Sequence, residues 1–222
     1  MNNRKITYLA ILNGAIFVYA IISIFFISQR PRTFQSDIIQ GLLLGFALAF
    51  VTAQIAARVK STNVNGWVTM VGCALPGNGV LMRAASAQLF PGPTNVPREA
   101  MYWSASIDDS RRALSGAHDY RIHFGPGQLP PANAFWSLTM GDAKNRFVPN
   151  PIHRYSLSDH SGLASNSDGS IDIYIQHGSP EGHESNWLPA PSGSFILWLR
   201  AYQPGEAILN GSYRVPPVMR VR

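Results

Sequence analysis

Two uncharged apolar runs near the N-terminus constrain this chain more than any other feature. Residues 6–27 and residues 38–57 contain no Asp, Glu, Lys or Arg. Runs of about 20 such residues are long enough to cross roughly 30 Å of hydrocarbon as helices, so the chain divides into a membrane part and a remainder with its own core. The charges divide in the same way. Residues 1–66 hold Arg4, Lys5, Arg30, Arg32, Arg58 and Lys60 against Asp37 alone, which leaves twelve cations and eleven acids for residues 67–222. The formal net charge of +6 therefore belongs to the membrane flanks, where cations meet lipid headgroups. Nucleic-acid binding loses its support, because it needs a basic patch on the folded domain.

The link between the runs, residues 28–37, is short, so residues 1–60 are expected to form a two-span antiparallel hairpin (6–27 and 38–57). A cleaved leader fits less well, since the first run is too long and Ser28-Gln29-Arg30-Pro31 offers no small-x-small site. In the second run Gly41, Gly45, Ala49, Ala53 and Ala57 recur every four residues, which places small side chains along one helix face where a neighbour can come close. The stripe predicts packing against the first span, which has Ala10 and Gly14 at the same spacing and Asn13 for a hydrogen bond; a second copy or a partner membrane protein is the alternative. Arg4, Lys5, Arg58 and Lys60 lie outside the hairpin and only Arg30 and Arg32 in its link, so the positive-inside rule favours both ends in the cytoplasm.

Residues 61–98 are rich in Gly, Pro and small residues and read as a connector with a short helix at 80–88 and a break at Pro91-Gly92-Pro93. Residues 99–222 read as strands. Tyr120, Ile122 and Phe124 alternate with Arg121 and His123, and Ile171, Ile173 and Ile175 alternate with Asp172, Tyr174 and Gln176. Residues 194–202 are continuously apolar, as in a strand buried on both faces, and residues 211–215 suggest a last short strand. Asp168-Gly169 is a strong short hairpin signal. Evenly spaced strands with turns between them need two packed layers, so the expected fold is an all-β, jelly-roll-like antiparallel β-sandwich behind the membrane hairpin. Cys73 is the only cysteine, which excludes an internal disulfide and a cysteine zinc cluster.

The chemistry-bearing residues gather in a few motifs: Phe-Trp-Ser-Leu-Thr at 135–139, Pro-Asn-Pro-x-x-Arg-Tyr-Ser at 149–156, Asp-Gly-Ser at 168–170, Ile-Tyr-Ile-Gln-His at 173–177 and Asn-Trp-Leu-Pro-Ala-Pro at 186–191. Their side chains Trp136, Asn150, Arg154, Tyr174, Gln176, His177, Asn186 and Trp187 suit recognition of a sugar, polyol or carboxylate: aromatic faces cover apolar ring surface, amides fix hydroxyls, and Arg grips a carboxylate with two bonds. A structural reading stands beside it, with the tryptophans in the core, the asparagines at turns and Arg154 tying loops to carbonyls. Six histidines (118, 123, 153, 160, 177 and 183) follow the membrane part. His123 and His177 each end a strand and are the pair that would converge on a metal, but His-x-His and His-Glu-x-x-His spacings are missing and no cofactor is expected. The Gly-x-Ser-x-Gly elbow and a phosphate-binding Gly-rich loop with Lys are also missing. Asp119, Asp168 and Asp172 are the carboxylates that glycoside chemistry would draw on.

Taken in order, these motifs, together with Glu99-Ala100-x-Tyr102 and Tyr120-x-x-His123-Phe124, resemble the bacterial family named domain of unknown function 1214, over residues 66–217. The resemblance implies a β-sandwich of uncertain biochemical role, often attached to or encoded with a second domain, family 1254; the apolar hairpin stands in that place here. It also implies export, which opposes the charge margin and leads to an inner-membrane, multi-pass protein with its β-domain in the periplasm. Three positions depart from the family pattern: His153 where Asn is usual, Gly141 where an aromatic is common, and Arg111-Arg112 where an Asp-Gly turn is usual. The expected function is a membrane-anchored domain that binds a small polar or glycan-like ligand or an envelope partner protein, without catalysis. The alternatives are a metal-dependent or other hydrolase and a structural subunit of a membrane complex.

Overall fold

The computed structural model describes residues 33–73, 75–90 and 94–221. The first apolar run, residues 6–27, and with it the expected hairpin, lies outside the described residues. The second run forms α1, Phe34–Lys60. Thr33 starts it by accepting from the Ser36 amide at 3.2 Å while the Ser36 hydroxyl accepts from the Thr33 amide at 3.1 Å, a reciprocal cap that satisfies two otherwise orphaned donors. At 1.5 Å per residue its 27 residues span about 40 Å. Among the described residues it is the one helix long and apolar enough to cross a membrane. Phe34, Leu42, Leu43 and Phe46 stand exposed along it.

The small-residue stripe is split. Ala53 and Ala57 are buried, in the part of α1 that packs on α2, Val80–Leu89. Gln54 Nε2 donates to Gln88 Oε1 at 2.7 Å across that contact. Among the described residues a methyl group added at Gly41 or Gly45 would meet nothing within 4 Å. The covered end of the stripe thus packs with α2 at Ala57, and any contact with the first span falls outside the described residues.

Ten strands follow: β1 Thr62–Val64, β2 Trp67–Thr69, β3 Ala100–Ala105, β4 Tyr120–Phe124, β5 Ala132–Asp142, β6 Ser156–Ser158, β7 Ile171–Gln176, β8 Trp187–Pro189, β9 Phe195–Pro204 and β10 Met219–Arg220, with a one-turn helix α3, Glu206–Leu209, after β9. They form a six-stranded sheet in the order β1-β2-β3-β9-β5-β6 and a four-stranded sheet in the order β10-β4-β7-β8. Met101, Trp103, Leu138, Leu197 and Leu199 from the first share one buried cluster with Ile122, Ile173, Ile175 and Leu188 from the second. The alternation read in β4 and β7 and the apolar run in β9 are the basis of this cluster: β9 lies between β3 and β5 and is buried along most of its length.

Four expectations are corrected. Residues 61–98 are more than a connector, because β1 and β2 form a hairpin that joins the sheet through Trp67 opposite Ala105. Trp67 is buried, and its Nε1 donates to the Pro216 carbonyl at 2.7 Å. The turn at Asp168-Gly169 is present, with Gly169 at φ +81°, but it joins β6 of one sheet to β7 of the other and closes no hairpin. The strands are not all antiparallel: β7 and β8 run parallel, because residues 177–186 carry the chain back along β7 so that Trp187 starts β8 beside Tyr174. Residues 211–215 form no strand; the last one is β10, which pairs with β4.

Gly141 of β5 shows how tightly the large sheet is closed. The Trp198 ring of β9 lies across it, so a Cβ at Gly141 would collide with that ring. The space that a side chain at this position would fill is taken by an aromatic ring from the neighbouring strand. Gly141→Ala is expected to destabilise the fold by about 1–3 kcal/mol through overpacking, read as a lower urea midpoint; an unchanged midpoint would show that Trp198 is free to move.

Candidate functional site

Six of the eight candidate ligand residues bond to the domain's own backbone. Asn150 accepts from the Arg154 amide at 2.9 Å and donates to the Arg154 and Val148 carbonyls at 2.8 and 3.1 Å. This closes the turn that His153 completes at φ +52°, a left-handed position that Asn tolerates better than most residues. From that turn Arg154 Nη1 reaches the carbonyls of Glu184 and Trp187 at 2.5 and 2.8 Å. Asn186 is 5 % exposed. Its amide donates to the carbonyls of Ala164 and Asp172, both at 2.8 Å, while its oxygen accepts from the Ala164 amide at 2.8 Å and from Ser185 Oγ at 3.0 Å. Trp187 is buried, and its Nε1 donates to the Gln176 carbonyl at 2.9 Å. Trp136 lies in the core against Phe124. Gln176 donates to the Gly178 carbonyl at 3.0 Å, and His177 Nδ1 lies 3.0 Å from the Ala190 carbonyl.

What remains open to solvent is the outer face of the four-stranded sheet. Tyr120, Ile122 and Phe124 of β4 point into the core, so Arg121 and His123 point out; on β7, Ile173 and Ile175 point in and Asp172, Tyr174 and Gln176 out. The register sets Arg121 beside Tyr174 and His123 beside Asp172. Asp172 is the hub. Its Oδ1 accepts from His123 Nδ1 at 2.7 Å and its Oδ2 from Asn166 Nδ2 at 3.0 Å. Arg121 Nε lies 3.7 Å from Oδ1 and is buried without a hydrogen-bond partner among the described residues.

A carboxylate only accepts, so His123 Nδ1 carries the proton and Nε2 is left to accept or, once protonated, to donate. Asn166 is held in turn by Ser170 Oγ at 2.9 Å. Ser170 also donates from its hydroxyl and its amide to Asp168, and these bonds hold the Asp168 carboxyl below its ordinary value. Tyr174 stacks on His183 with ring centres 4.5 Å apart. Partial burial, and then the Asp172 charge, push its phenol above the ordinary value, while Arg121 opposes them.

His123 also forms part of the wall of a groove of about 660 Å³, with Asn65, Gln128, Ser212, Tyr213 and Arg214 among the other lining residues. Tyr213 Oη donates to the Gln128 carbonyl at 3.2 Å, and burial pushes that phenol well up. His123 and His177 do not converge. Tyr120 pairs with Ile175 and Phe124 with Ile171, so the two histidines sit at opposite ends of the β4–β7 pair, about 15 Å or more apart at strand rise. Among the described residues no group of three or more His, Cys, Asp or Glu side chains is placed to hold a metal ion.

The sequence motifs therefore contribute Tyr174 to the open cluster, while Arg121, Asn166 and His183 come from outside the predicted set. The alternation in β4 placed Arg121 with His123 on one face; that this face meets Asp172 and Tyr174 depends on pairing between strands some 50 residues apart.

Residues 99–206 match a family model described as protein of unknown function (DUF1214). These residues carry the domain that the motifs resemble, over a shorter range than residues 66–217. Among solved structures the chain is similar to the VPA0106 protein of Vibrio parahaemolyticus, at 23 % identity and a TM-score of 0.59, covering 87 % of this chain and 47 % of that one. It is also similar to an uncharacterised protein of Burkholderia cenocepacia at 14 % identity and a TM-score of 0.44, covering 96 % and 51 %. The chain spans about half the length of each. No curated protein matches it.

The tether role of Asn186 is open to test. Asn186→Ala removes the partner of the buried Asp172 carbonyl, at about 1–3 kcal/mol, and the two part-buried bonds that hold Ala164. The expected outcome is a stability loss of at least about 2 kcal/mol in chemical denaturation; a variant as stable as the parent would return Asn186 to the ligand-binding candidates.

Proposed function

We propose that this chain is a membrane-anchored β-domain that binds a small polar ligand bearing a carboxylate, such as an acidic sugar, on the outer face of its four-stranded sheet. The observation that carries the reading is the Arg121 guanidinium. It is held beside Tyr174 with Nε lacking a partner, and its nearest anion, Asp172, is already engaged by His123 and Asn166. Nε is closed off from solvent, but the Arg121 side chain is 43 % exposed, so the open part of its guanidinium can meet a ligand carboxylate. Tyr174 and His183 supply ring surface next to it for the apolar face of a sugar. Asp172 and Asn166 fix the array before the ligand arrives, which lowers the ordering cost of binding. The set of residues whose types suit binding thus narrows to Tyr174, with the others serving as the frame.

In this reading residues 6–27 and α1 form a two-span hairpin, the two sheets form a jelly-roll-like sandwich, and the β-domain faces the periplasm, where acidic glycans are met. Calorimetric titration of the full chain in detergent micelles with glucuronate, glucose and sorbitol tests the site. Glucuronate is expected to bind and the two neutral compounds to bind weakly, with Arg121→Ala losing about tenfold or more of the glucuronate affinity, equivalent to about 1.4 kcal/mol. Equal affinity in parent and variant would remove the site. A reporter active only in the periplasm, fused after Arg222, is expected to give signal; signal from a reporter active only in the cytoplasm would move the domain to the other side and with it the class of ligand.

A hydrolase is the second reading, because the Asp172 carboxylate orients His123 as it would a general base at the edge of a groove. Hydrolysis of p-nitrophenyl acetate that disappears in His123→Gln would favour it, and hydrolysis that the substitution leaves unchanged would exclude it.

A further inference from the structure

The six-stranded sheet is wider than the four-stranded sheet it faces, and β1 and β2 lie at its end. Val64 stands beside Trp67, Trp67 beside Ala105, and Thr62 beside Thr69. Paired residues of antiparallel strands share a face, so this end continues the inner face that Met101, Trp103 and Ala105 present to the core. Ile208 of α3 and residues 211–215 close over it and leave a recess of about 230 Å³. Trp67, Met101, Trp103, Ile208 and Val215 are its buried walls, and Val64 and Val71, 38 and 56 % exposed, stand at its rim. Hydrogen bonds hold these walls in place. Asn65 Nδ2 donates to the Val215 carbonyl at 3.0 Å and Trp67 Nε1 to the Pro216 carbonyl at 2.7 Å, which ties the covering segment to the first hairpin. Tyr213, a further wall, is fixed through its amide to the Ala207 carbonyl at 2.7 Å and through its hydroxyl to the Gln128 carbonyl at 3.2 Å. A recess whose walls are fixed in this way is formed before a ligand arrives.

Size, lining and charge define what fits there. An apolar cavity of about 150 Å³ is enough for a benzene ring, so about 230 Å³ takes one ring with a short substituent and is too small for a drug-sized ligand. The rings of Trp67, Trp103 and Tyr213 and the Met101 sulfur favour an aromatic ring over an alkyl chain. One cation, Arg214, lines the recess. Its Nη1 donates to the carbonyls of Gly211 and Tyr213, and no carboxylate pairs with it among the described residues. A guanidinium with donors to spare and no acid beside it suits a ligand carboxylate.

We propose that this recess is a second binding site, for a small molecule with one aromatic ring and a carboxylate on a short arm. The ring lies among Trp67, Met101, Trp103 and Tyr213, and the carboxylate meets Arg214. The recess shares no residue with the Arg121–Tyr174 cluster, so the proposal stands apart from the acidic-sugar reading. Calorimetric titration of the full chain in detergent micelles with phenylacetate, benzyl alcohol and acetate tests it, with titrations into empty micelles subtracted. Phenylacetate is expected to bind. Benzyl alcohol, which keeps the ring without the charge, and acetate, which keeps the charge without the ring, are expected to bind about tenfold more weakly or not at all. Val64→Phe, which fills the recess from its exposed rim, and Arg214→Gln, at an exposed position, are each expected to weaken phenylacetate by about tenfold or more. Gln128→Ala, whose side chain lines the neighbouring groove and not the recess, is expected to leave it unchanged. Where Val64→Phe does not fold, Arg214→Gln decides. Absence of phenylacetate binding, or equal affinity in the parent and the recess variants, would overturn the site. A loss confined to Gln128→Ala would also overturn it and place the ligand in the groove beside His123.

Discussion

The carboxamide of Asn186 is the interaction on which the β-domain's organisation depends. Four hydrogen bonds tie this one buried side chain to the 164 loop, to Ser185 and to the backbone of β7 at Asp172. The parallel pairing of β7 with β8 needs a return path for the chain, and Asn186 stands where that path ends. Arg154 supports the same corner from the other side through the carbonyls of Glu184 and Trp187, and bonds from a charged donor contribute about 1.5–3 kcal/mol each. These bonds add to the β4 ladder in fixing the backbone of Asp172, whose carboxylate orients His123.

This explains why residue types that suit ligand binding turn out to hold the frame. Amides, arginine and tryptophan offer several directed donors on a rigid body, which is what a ligand site needs and equally what a corner between two sheets needs. Sequence motifs report the residue types and cannot tell these uses apart. Asn150 between Pro149 and Pro151 is a case where the turn was legible, because both neighbours restrict the backbone. Asn186 gave no such sign, since its partners at Ala164 and Asp172 lie 22 and 14 residues away.

Legibility followed the range of the interaction elsewhere too. The short helix at 80–88, the strands around Ile122, Ile173 and Leu199, and the Asp168-Gly169 turn are set by neighbours within a few residues, and they are found where periodicity placed them. The parallel β7–β8 pair, the recruitment of β1 and β2 to the large sheet, and the Arg121–Tyr174 juxtaposition depend on long-range register, which alternation alone leaves open. Arg111 lies between the two cases. It adopts φ +62°, a left-handed turn position that an arginine does not announce. Asp108 holds that turn, accepting from the Arg112 amide at 2.8 Å and from Arg112 Nε at 3.2 Å.

The placement of the helices decides what kind of ligand can reach the candidate site. In β3, Met101, Trp103 and Ala105 face the main core, and Tyr102 faces out to join the second cluster with Ala57, Met70, Ala85 and Phe90. α1 and α2 therefore pack on the outer surface of the six-stranded sheet. The core of the domain lies between them and the four-stranded sheet, whose outer face carries Arg121, His123, Asp172 and Tyr174. Because Tyr102 is fixed on both sides, its hydroxyl accepting from the Asn95 amide at 3.1 Å and its carbonyl from Thr69 Oγ1 at 2.7 Å, the helix end is packed onto the sheet rather than hung from a flexible stalk. The candidate cluster therefore lies across the domain from the helices, and on the reading proposed above a cluster built from Arg, Asp, His and Tyr suits a soluble acidic molecule.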